Sequence, residues 1–268
     1  MFPGFYLLGR YFGSYAILAI AGIFTACPIA IHHFKKRCSD KYADISMTFV
    51  LLFGGIGVVV GSHLLYGITN IRQWGSLFSA ADFGEWWNSA QLIFGGAVFY
   101  GGLIGGLIAG FLSIRYQKLD PAVVSDCAAP SIALFHMFGR IGCFLGGCCY
   151  GVEWEHGVTF TNSLIESANG VPRVPVQLYE AGLELALFLA LTLLLVSGKL
   201  RGKLLAVYLL VYPVGRFLLE FWRGDEYRGF LFGLSTSQLI SIALFIGTIV
   251  FLAVSAVKKR RTPMPIEE

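Results

Sequence analysis

Residues 235–257 read STSQLISIALFIGTIVFLAVSAV and contain no charged side chain. About 20 consecutive apolar residues are enough for an α-helix to cross the hydrocarbon core of a bilayer. Six further runs of this kind precede it, at about residues 11–33, 46–68, 90–113, 122–146, 177–197 and 203–222. The sequence therefore predicts an all-α integral membrane protein with seven transmembrane helices, in which residues 1–268 form a single polytopic membrane domain.

The composition supports this fold class. Hydrophobic residues make up 56% of the chain and charged residues only 13%, which is about half the share usual in soluble domains. A soluble domain of this size would be short of polar surface. These figures exclude a disordered protein, a nucleic-acid-binding protein and most soluble enzymes.

The placement of basic residues predicts the orientation of the chain. Thirteen lysines and arginines fall after the first, third, fifth and seventh predicted spans, whereas five fall on the opposite side. Because cytoplasmic loops carry the excess of basic residues, we expect the N-terminus outside and the C-terminus in the cytoplasm. The outer loops, about residues 69–89 and 147–176, are then predicted to form a small extracytoplasmic cap.

Several ionisable residues fall inside predicted spans, where they are costly and usually functional. At about 100° per residue, helical geometry gathers them into stripes on the fifth and sixth spans. The stripes contain Gln177, Glu180 and Glu184 on the fifth span and Tyr212, Arg216, Glu220 and Arg223 on the sixth. Arg140, on the fourth span, stands between Gly139 and Gly142, which let a ligand approach the backbone.

In the predicted topology these groups lie in the outer halves of their helices and converge on one pocket. Two arginines that carboxylates neutralise unequally suit an anion such as a phosphate diester. The alternative is a set of internal salt bridges, for example between Arg216 and Glu220. His136, one turn before Arg140, is either a hydrogen-bond partner of this site or a packing histidine.

Glycines and cysteines allow more than one interpretation. Gly102, Gly106 and Gly110 form one ridge at helical spacing and Gly101 and Gly105 a second, and packing is the better explanation for most of them.

Three cysteines, Cys143, Cys148 and Cys149, lie close together at the outer end of the fourth span. They allow a disulfide, a reactive thiol or apolar packing, while a zinc site with His156 is weakly supported because no CxxC pair exists.

The motifs resemble those of the prolipoprotein diacylglyceryl transferase family. The resemblance rests on segments that follow one another in the family's order over most of the chain. They are residues 100–105 (YGGLIG), Ser125-Asp126 before Pro130, 139–151 (GRIGCFLGGCCYG), 175–180 (PVQLYE), 212–223 (YPVGRFLLEFWR) and 234–242 (LSTSQLISI).

The resemblance implies an enzyme of the bacterial plasma (inner) membrane with its active site facing the extracytoplasmic side. Such enzymes move the diacylglyceryl group of phosphatidylglycerol onto the lipobox cysteine of prolipoprotein signal peptides, without a cofactor, a metal or a nucleic acid. The resemblance implies catalytic roles for Arg140, Arg216, Tyr100 and Glu220. The substrate-binding set it implies is Arg140, Gly101, Gly102, Gly139, Gly142, Gln177, Glu180, Tyr212 and Arg223.

The sequence departs from the family pattern at several positions. Tyr100 replaces the histidine of the family's HGG motif, and Cys143 and Cys148 replace an asparagine and a glutamate of the signature. The alternatives are a membrane protein that binds or moves anionic lipid without catalysis, a related lipid transferase with another acceptor, and a thiol oxidoreductase that uses the three cysteines.

Overall fold

A computed structural model describes residues 1–163, 165–225 and 229–261. The chain forms two compact units, one made of Met1–Ala30 with Ser125–Glu268 and the other of Ile31–Val124. The helices are α1 (Ser14–Arg37), α2 (Ala43–Thr69), α3 (Gly75–Phe78), α4 (Phe83–Phe94), α5 (Phe99–Tyr116), α6 (Pro121–Gly146), α7 (Val176–Val196), α8 (Leu204–Leu219) and α9 (Thr236–Arg261). The strands are β1 (Gly4–Leu7), β2 (Arg10–Gly13), β3 (Glu153–Thr159), β4 (Pro172–Arg173), β5 (Phe230–Leu231) and β6 (Leu234–Ser235).

Six of the described helices are long and apolar enough to cross a membrane. They are Ser14–Arg37, Ala43–Thr69, Pro121–Gly146, Val176–Val196, Leu204–Trp222 and Thr236–Val257. Each of these helices overlaps a predicted span, and its first and last residues lie within about four residues of the predicted boundaries. The prediction of an all-α membrane protein is therefore confirmed. Arg228, one of the five basic residues predicted outside, lies beyond the described residues.

The predicted third span has the wrong boundaries. Its first residues, 90–94, end helix α4, and the chain turns at residues 95–98 before α5 begins. The turn depends on glycine, because a Cβ on Gly96 would collide with the ring of Tyr66.

Helix α4 begins with a capping arrangement. Oδ1 of Asp82 accepts a hydrogen bond from the Glu85 backbone N–H at 2.8 Å, and the Glu85 carboxylate accepts one from the Ala81 N–H at 2.9 Å.

In the second unit, α2 and α5 pack through glycines. A Cβ on Gly105 would collide with the backbone carbonyl of Gly57, and one on Gly101 with that of Gly61. The two helices therefore approach more closely than any larger side chain allows. Gly102 faces Val58 with more space around it, so the ridge of Gly101 and Gly105 makes the tighter contact.

In the first unit, the N-terminal part of α6 holds the start of α8. The Asp126 carboxylate is 2% exposed and accepts from the backbone N–H groups of Gly202, at 2.5 Å, and Leu204, at 2.9 Å. The bond from Leu204 satisfies a donor of the first turn of α8, where no intrahelical acceptor is available, and the bond from Gly202 holds the residue before the N-cap. Asp126 thus fixes the loop between α7 and α8 against α6.

The N-terminus forms a hairpin that the apolar pattern did not predict. Strands β1 and β2 pair antiparallel through a two-residue turn in which Leu8 has φ 50° and Gly9 φ 74°. Positive φ at both positions is typical of the turn that joins tightly twisted strands. The Ser14 hydroxyl, at the start of α1, donates to the Phe2 carbonyl at 2.5 Å and holds the hairpin against the helix.

Candidate active site

Helices α6, α7 and α8 of the first unit bring buried charges together. Glu180 and Glu184 on α7 are 1% and 0% exposed, and Arg216 on α8 is 7% exposed. A charge buried to this extent is tolerated only when it is paired or hydrogen-bonded. The predicted stripe on the fifth span is therefore the buried face of α7, and the partners of its carboxylates define the site.

Glu180 is the centre of the first layer of the site. Its Oε1 atom lies 3.0 Å from Nη2 of Arg140, accepts a hydrogen bond from the Tyr212 hydroxyl at 2.9 Å and lies 3.7 Å from Nε of Arg216. One carboxylate oxygen thus gathers side chains from α6 and α8. The predicted convergence of Arg140, Glu180, Tyr212 and Arg216 is present in the structure.

Arg216 has further partners beyond Glu180. Its Nη1 donates to Oε2 of Glu220 at 2.6 Å, and its Nη2 donates to the hydroxyl of Ser237, on α9, at 2.9 Å. Arg216 is therefore flanked by two carboxylates, whereas Arg140 contacts one and shares it. The salt bridge between Arg216 and Glu220, which the sequence allowed as an alternative, forms in the structure.

A second layer lies one helical turn along from the first. Nδ1 of His136 is 2.6 Å from Oε1 of Glu184, and the Tyr208 hydroxyl donates to the same oxygen at 3.1 Å. The His136 ring meets the Tyr212 ring edge to face, with centroids 5.0 Å apart. His136 is therefore a hydrogen-bond partner within the site. Tyr208 was not predicted, although it stands four residues before Tyr212 on the same stripe.

Some polar atoms of the site have no partner among the residues that the structure describes. Nε of Arg140 and Oε1 of Gln177 are buried without a hydrogen bond, while Nε2 of Gln177 donates to the carbonyl of Cys148 at 2.7 Å. A Cβ on Gly139 would meet no atom within 4 Å, whereas Gly142 packs against Tyr15 of α1. Gly139, the residue before Arg140 in the chain, therefore has open space at its Cβ position.

Arg223 lies beyond the end of α8. Helix α8 ends at Leu219, a single 3₁₀ turn follows, and Arg223 has the extended φ of −75° and ψ of 134°. Its guanidinium makes two hydrogen bonds to Asp225, at 2.8 and 2.6 Å. Arg223 is 9% exposed, and its role in substrate binding stays a prediction.

Comparison with known proteins decides the family. The family model for prolipoprotein diacylglyceryl transferase matches residues 5–254. The chain is 34% identical over 264 residues to phosphatidylglycerol–prolipoprotein diacylglyceryl transferase 2 of Clostridium perfringens, covering 95% of this chain and 97% of that protein. It is 36% identical over 252 residues to the enzyme of the same name from Clostridium tetani, covering 92% and 95%.

This chain belongs to the prolipoprotein diacylglyceryl transferase family. Together with the six apolar helices, membership makes it a multi-pass bacterial membrane protein. A more distant relative, the phosphatidylglycerol–prolipoprotein diacylglyceryl transferase of Campylobacter jejuni, is 29% identical over 256 residues, covering 91% of this chain and 89% of that one. The resemblance inferred from the motifs is thereby confirmed.

Three of the transferase motif residues lie in the second unit. Tyr100, Gly101 and Gly102 form the first turn of α5, where the Tyr100 side chain is 39% exposed. Gly101 and Gly102 face α2. Close helix packing therefore accounts for both glycines, and their role in substrate binding stays a prediction.

The cysteines that replace residues of the family signature form a cluster of free thiols. The Sγ atoms of Cys143, Cys148 and Cys149 all lie within 4.8 Å of one another, and no histidine of the described chain joins them. Hydrogen bonds with Cys143 and Cys148, together with the charges of Arg223 and Arg140, hold the pKa of the Cys149 thiol well below its usual value. Cys149 is thus more acidic than Cys148 in this cluster.

Proposed function

We propose that this chain transfers the diacylglyceryl group of phosphatidylglycerol to the lipobox cysteine thiol of prolipoproteins. The names of the relatives from both Clostridium species supply the reaction. The observation that carries the proposal is Arg140, a guanidinium held by Glu180 with a buried Nε that has no partner in the described chain. A phosphate diester is the anion that such a donor meets at membrane depth.

In this reaction the lipobox sulfur forms a bond to the terminal glyceryl carbon of the lipid. The bond between that carbon and the phosphate oxygen breaks, its electron pair stays on the oxygen, and glycerol phosphate leaves. Arg140 and Arg216 stabilise the negative charge that grows on the phosphate, which is the electrostatic part of catalysis. Glu220 and Glu180 orient the two guanidiniums.

The remaining predicted residues bind the substrate. Gln177, with its amide oxygen unused within the described residues, accepts a hydrogen bond from a hydroxyl of the glycerol headgroup. Tyr212 holds Glu180, and the space beside Gly139 admits the lipid. Tyr100 remains a predicted site residue.

The topology that serves this reaction has seven spans, with α5 as the third. The N-terminus lies outside and the C-terminus in the cytoplasm, because basic residues concentrate on one side. The outer loops, about residues 69–89 and 147–176, form the extracytoplasmic cap. The site then opens to the outer leaflet of the plasma membrane, where phosphatidylglycerol and the signal peptide enter from the bilayer.

The test is transfer of labelled lipid from phosphatidylglycerol to a lipobox peptide by the protein in nanodiscs. Arg140→Ala should reduce transfer about 100- to 1000-fold, the usual effect of losing one such donor. Arg115→Ala, which changes a basic residue at the end of α5, is the matched control and should transfer at the wild-type rate. Full activity of Arg140→Ala would remove the phosphate assignment.

The thiol cluster favours one second candidate, a membrane thiol oxidoreductase. A variant with serine at 143, 148 and 149 distinguishes the two functions, since the acceptor thiol of the transferase belongs to the substrate. The transferase keeps substantial activity in this variant. Activity that disappears on chemical reduction and returns on oxidation would instead support the oxidoreductase.

A further inference from the structure

The reaction requires a group that accepts the thiol proton. This chain has Tyr100 in place of the histidine of the family's HGG motif. We infer that His136 accepts the proton of the substrate thiol and that Glu184 positions it. This inference rests on the proposed function and adds to it a residue that the family pattern did not indicate. It depends on the contacts of the imidazole, its exposure and its depth along α6.

The contacts fix the state of the imidazole ring. Nδ1 lies 2.6 Å from Oε1 of Glu184, so the carboxylate selects the tautomer that carries its proton on Nδ1. Nε2 is then the nitrogen with a free electron pair. Oε1 of Glu180 lies 3.9 Å from it, which is too far for a hydrogen bond. A base oriented by a buried carboxylate is the arrangement that activates nucleophiles in many enzymes.

Exposure distinguishes the histidine from its neighbours. The His136 side chain is 28% exposed, whereas the Glu180 and Glu184 side chains are 1% and 0% exposed. The titratable groups that face the ring are these two carboxylates on α7 and the hydroxyls of Tyr208 and Tyr212 on α8. Of this group, the imidazole is the proton acceptor that a substrate can reach.

Depth places His136 on the correct side of the phosphate. Four residues of an α-helix rise about 6 Å, so His136 lies one turn from Arg140 towards the membrane centre in the proposed topology. In an outer-leaflet lipid, the glyceryl carbon lies on this same side of the phosphate. A thiol that attacks in line with the leaving oxygen approaches from below the carbon. Its proton passes to Nε2 of His136 as the sulfur–carbon bond forms and the carbon–oxygen bond breaks.

The experiment measures transfer to a lipobox peptide between pH 6.5 and 8.5 for wild type and His136→Gln in nanodiscs. Glutamine keeps an N–H donor for Glu184 but provides no base. We expect a 100- to 10,000-fold lower kcat at pH 6.5, with the KM for phosphatidylglycerol little changed. Because a free thiol ionises near pH 8.5, the rate of the variant should rise about tenfold per pH unit and approach that of wild type.

A structural role for His136 predicts a different result. It would lower the rate by the same factor at every pH, and that result, or a wild-type rate at pH 6.5, would overturn the inference. His156→Gln is the matched control and should retain the wild-type rate and pH profile. If His136→Gln fails to fold, Glu184→Gln tests the same point, with a smaller loss at pH 6.5 that also shrinks as pH rises.

The same assay separates this inference from the proposed function. If the wild-type protein transfers no lipid at any pH, the proposed function fails. If the wild-type protein transfers lipid, Arg140→Ala does not, and His136→Gln keeps the wild-type pH profile, only the role of His136 fails.

Discussion

The pair of Arg216 and Glu220 provides the sharpest separation between catalysis and structure. Both residues are buried, at 7% and 4% exposure, and their charged atoms are 2.6 Å apart. Arg216→Ala leaves the Glu220 carboxylate without this guanidinium. Breaking a buried pair in this way costs about 3–5 kcal/mol of folding stability. Losing a donor to the leaving phosphate costs a further 100- to 1000-fold in rate, about 2.7–4 kcal/mol in the activation barrier.

The double variant Arg216→Ala, Glu220→Ala separates these two costs. It removes both charges, so it should regain about 0.5–3 kcal/mol of the stability that Arg216→Ala loses. It should not regain activity, because the phosphate still lacks its donor. Arg216→Lys keeps a positive charge for Glu220 but cannot also reach Ser237 and Glu180 with a planar fork. We therefore expect near-wild-type stability and poor transfer from the lysine variant.

The measurements are the midpoint of thermal unfolding and the rate of labelled lipid transfer, both in the same nanodiscs. Glu220→Ala alone completes the cycle and serves as the reference for the double variant. Recovery of transfer in the double variant, in parallel with its stability, would falsify a catalytic role for Arg216. The pair would then be structural, and Arg140 would be the remaining phosphate ligand.

Three further predictions concern the thiols and the packing. The hydrogen bond with Cys143 lowers the pKa of the Cys148 thiol, but the hydrogen bond with Cys149 and burial outweigh it and raise this pKa to about 11. The pKa of the Cys149 thiol is lowered. Mass spectrometry should thus show Cys149 alkylated by iodoacetamide at a rate nearly constant from pH 6 to 8 and Cys148 unreactive; a tenfold rise per pH unit at Cys149 contradicts this. Asp126→Ala leaves the buried N–H of Leu204 without its acceptor and should cost about 1–3 kcal/mol in denaturant unfolding, so an unchanged midpoint disproves the anchoring role. Gly105→Leu forces α5 away from α2 and should cost about 1–3 kcal/mol by the same measurement, whereas wild-type stability would show that the close contact is dispensable.

Helical periodicity predicted which residues belong to the site, but it predicted less well which of them contact one another. It gathered Glu180 and Glu184 on one face, because a regular helix fixes the angle between residues four apart. It did not predict the end of α8 before Arg223, since a helix end is set by local hydrogen bonding and not by the apolar pattern. It left His136 undecided, because the rotation of α6 against α7 determines whether an imidazole meets Glu184.

The same limits apply to the fold. Long apolar runs predicted six of the helices that the structure describes, since the bilayer sets their length. The break between α4 and α5 was missed because glycines at 95 and 96 are apolar by composition and look like part of the span. The tighter glycine ridge was also undecided, because two ridges on one helix have the same spacing and only the partner helix distinguishes them.

The unused hydrogen-bonding atoms argue that this network exists for a ligand and not for stability. Each buried polar group without a partner costs about 1–3 kcal/mol. In the described chain, Arg140, Gln177 and Glu184 each bury such an atom within one site. A scaffold selected for stability alone would replace them, since apolar side chains often match or exceed a buried ion pair in stability. A phosphate on Nε of Arg140 and a glycerol hydroxyl on Gln177 would satisfy two of these atoms, so lipid binding would offset the cost of burying them.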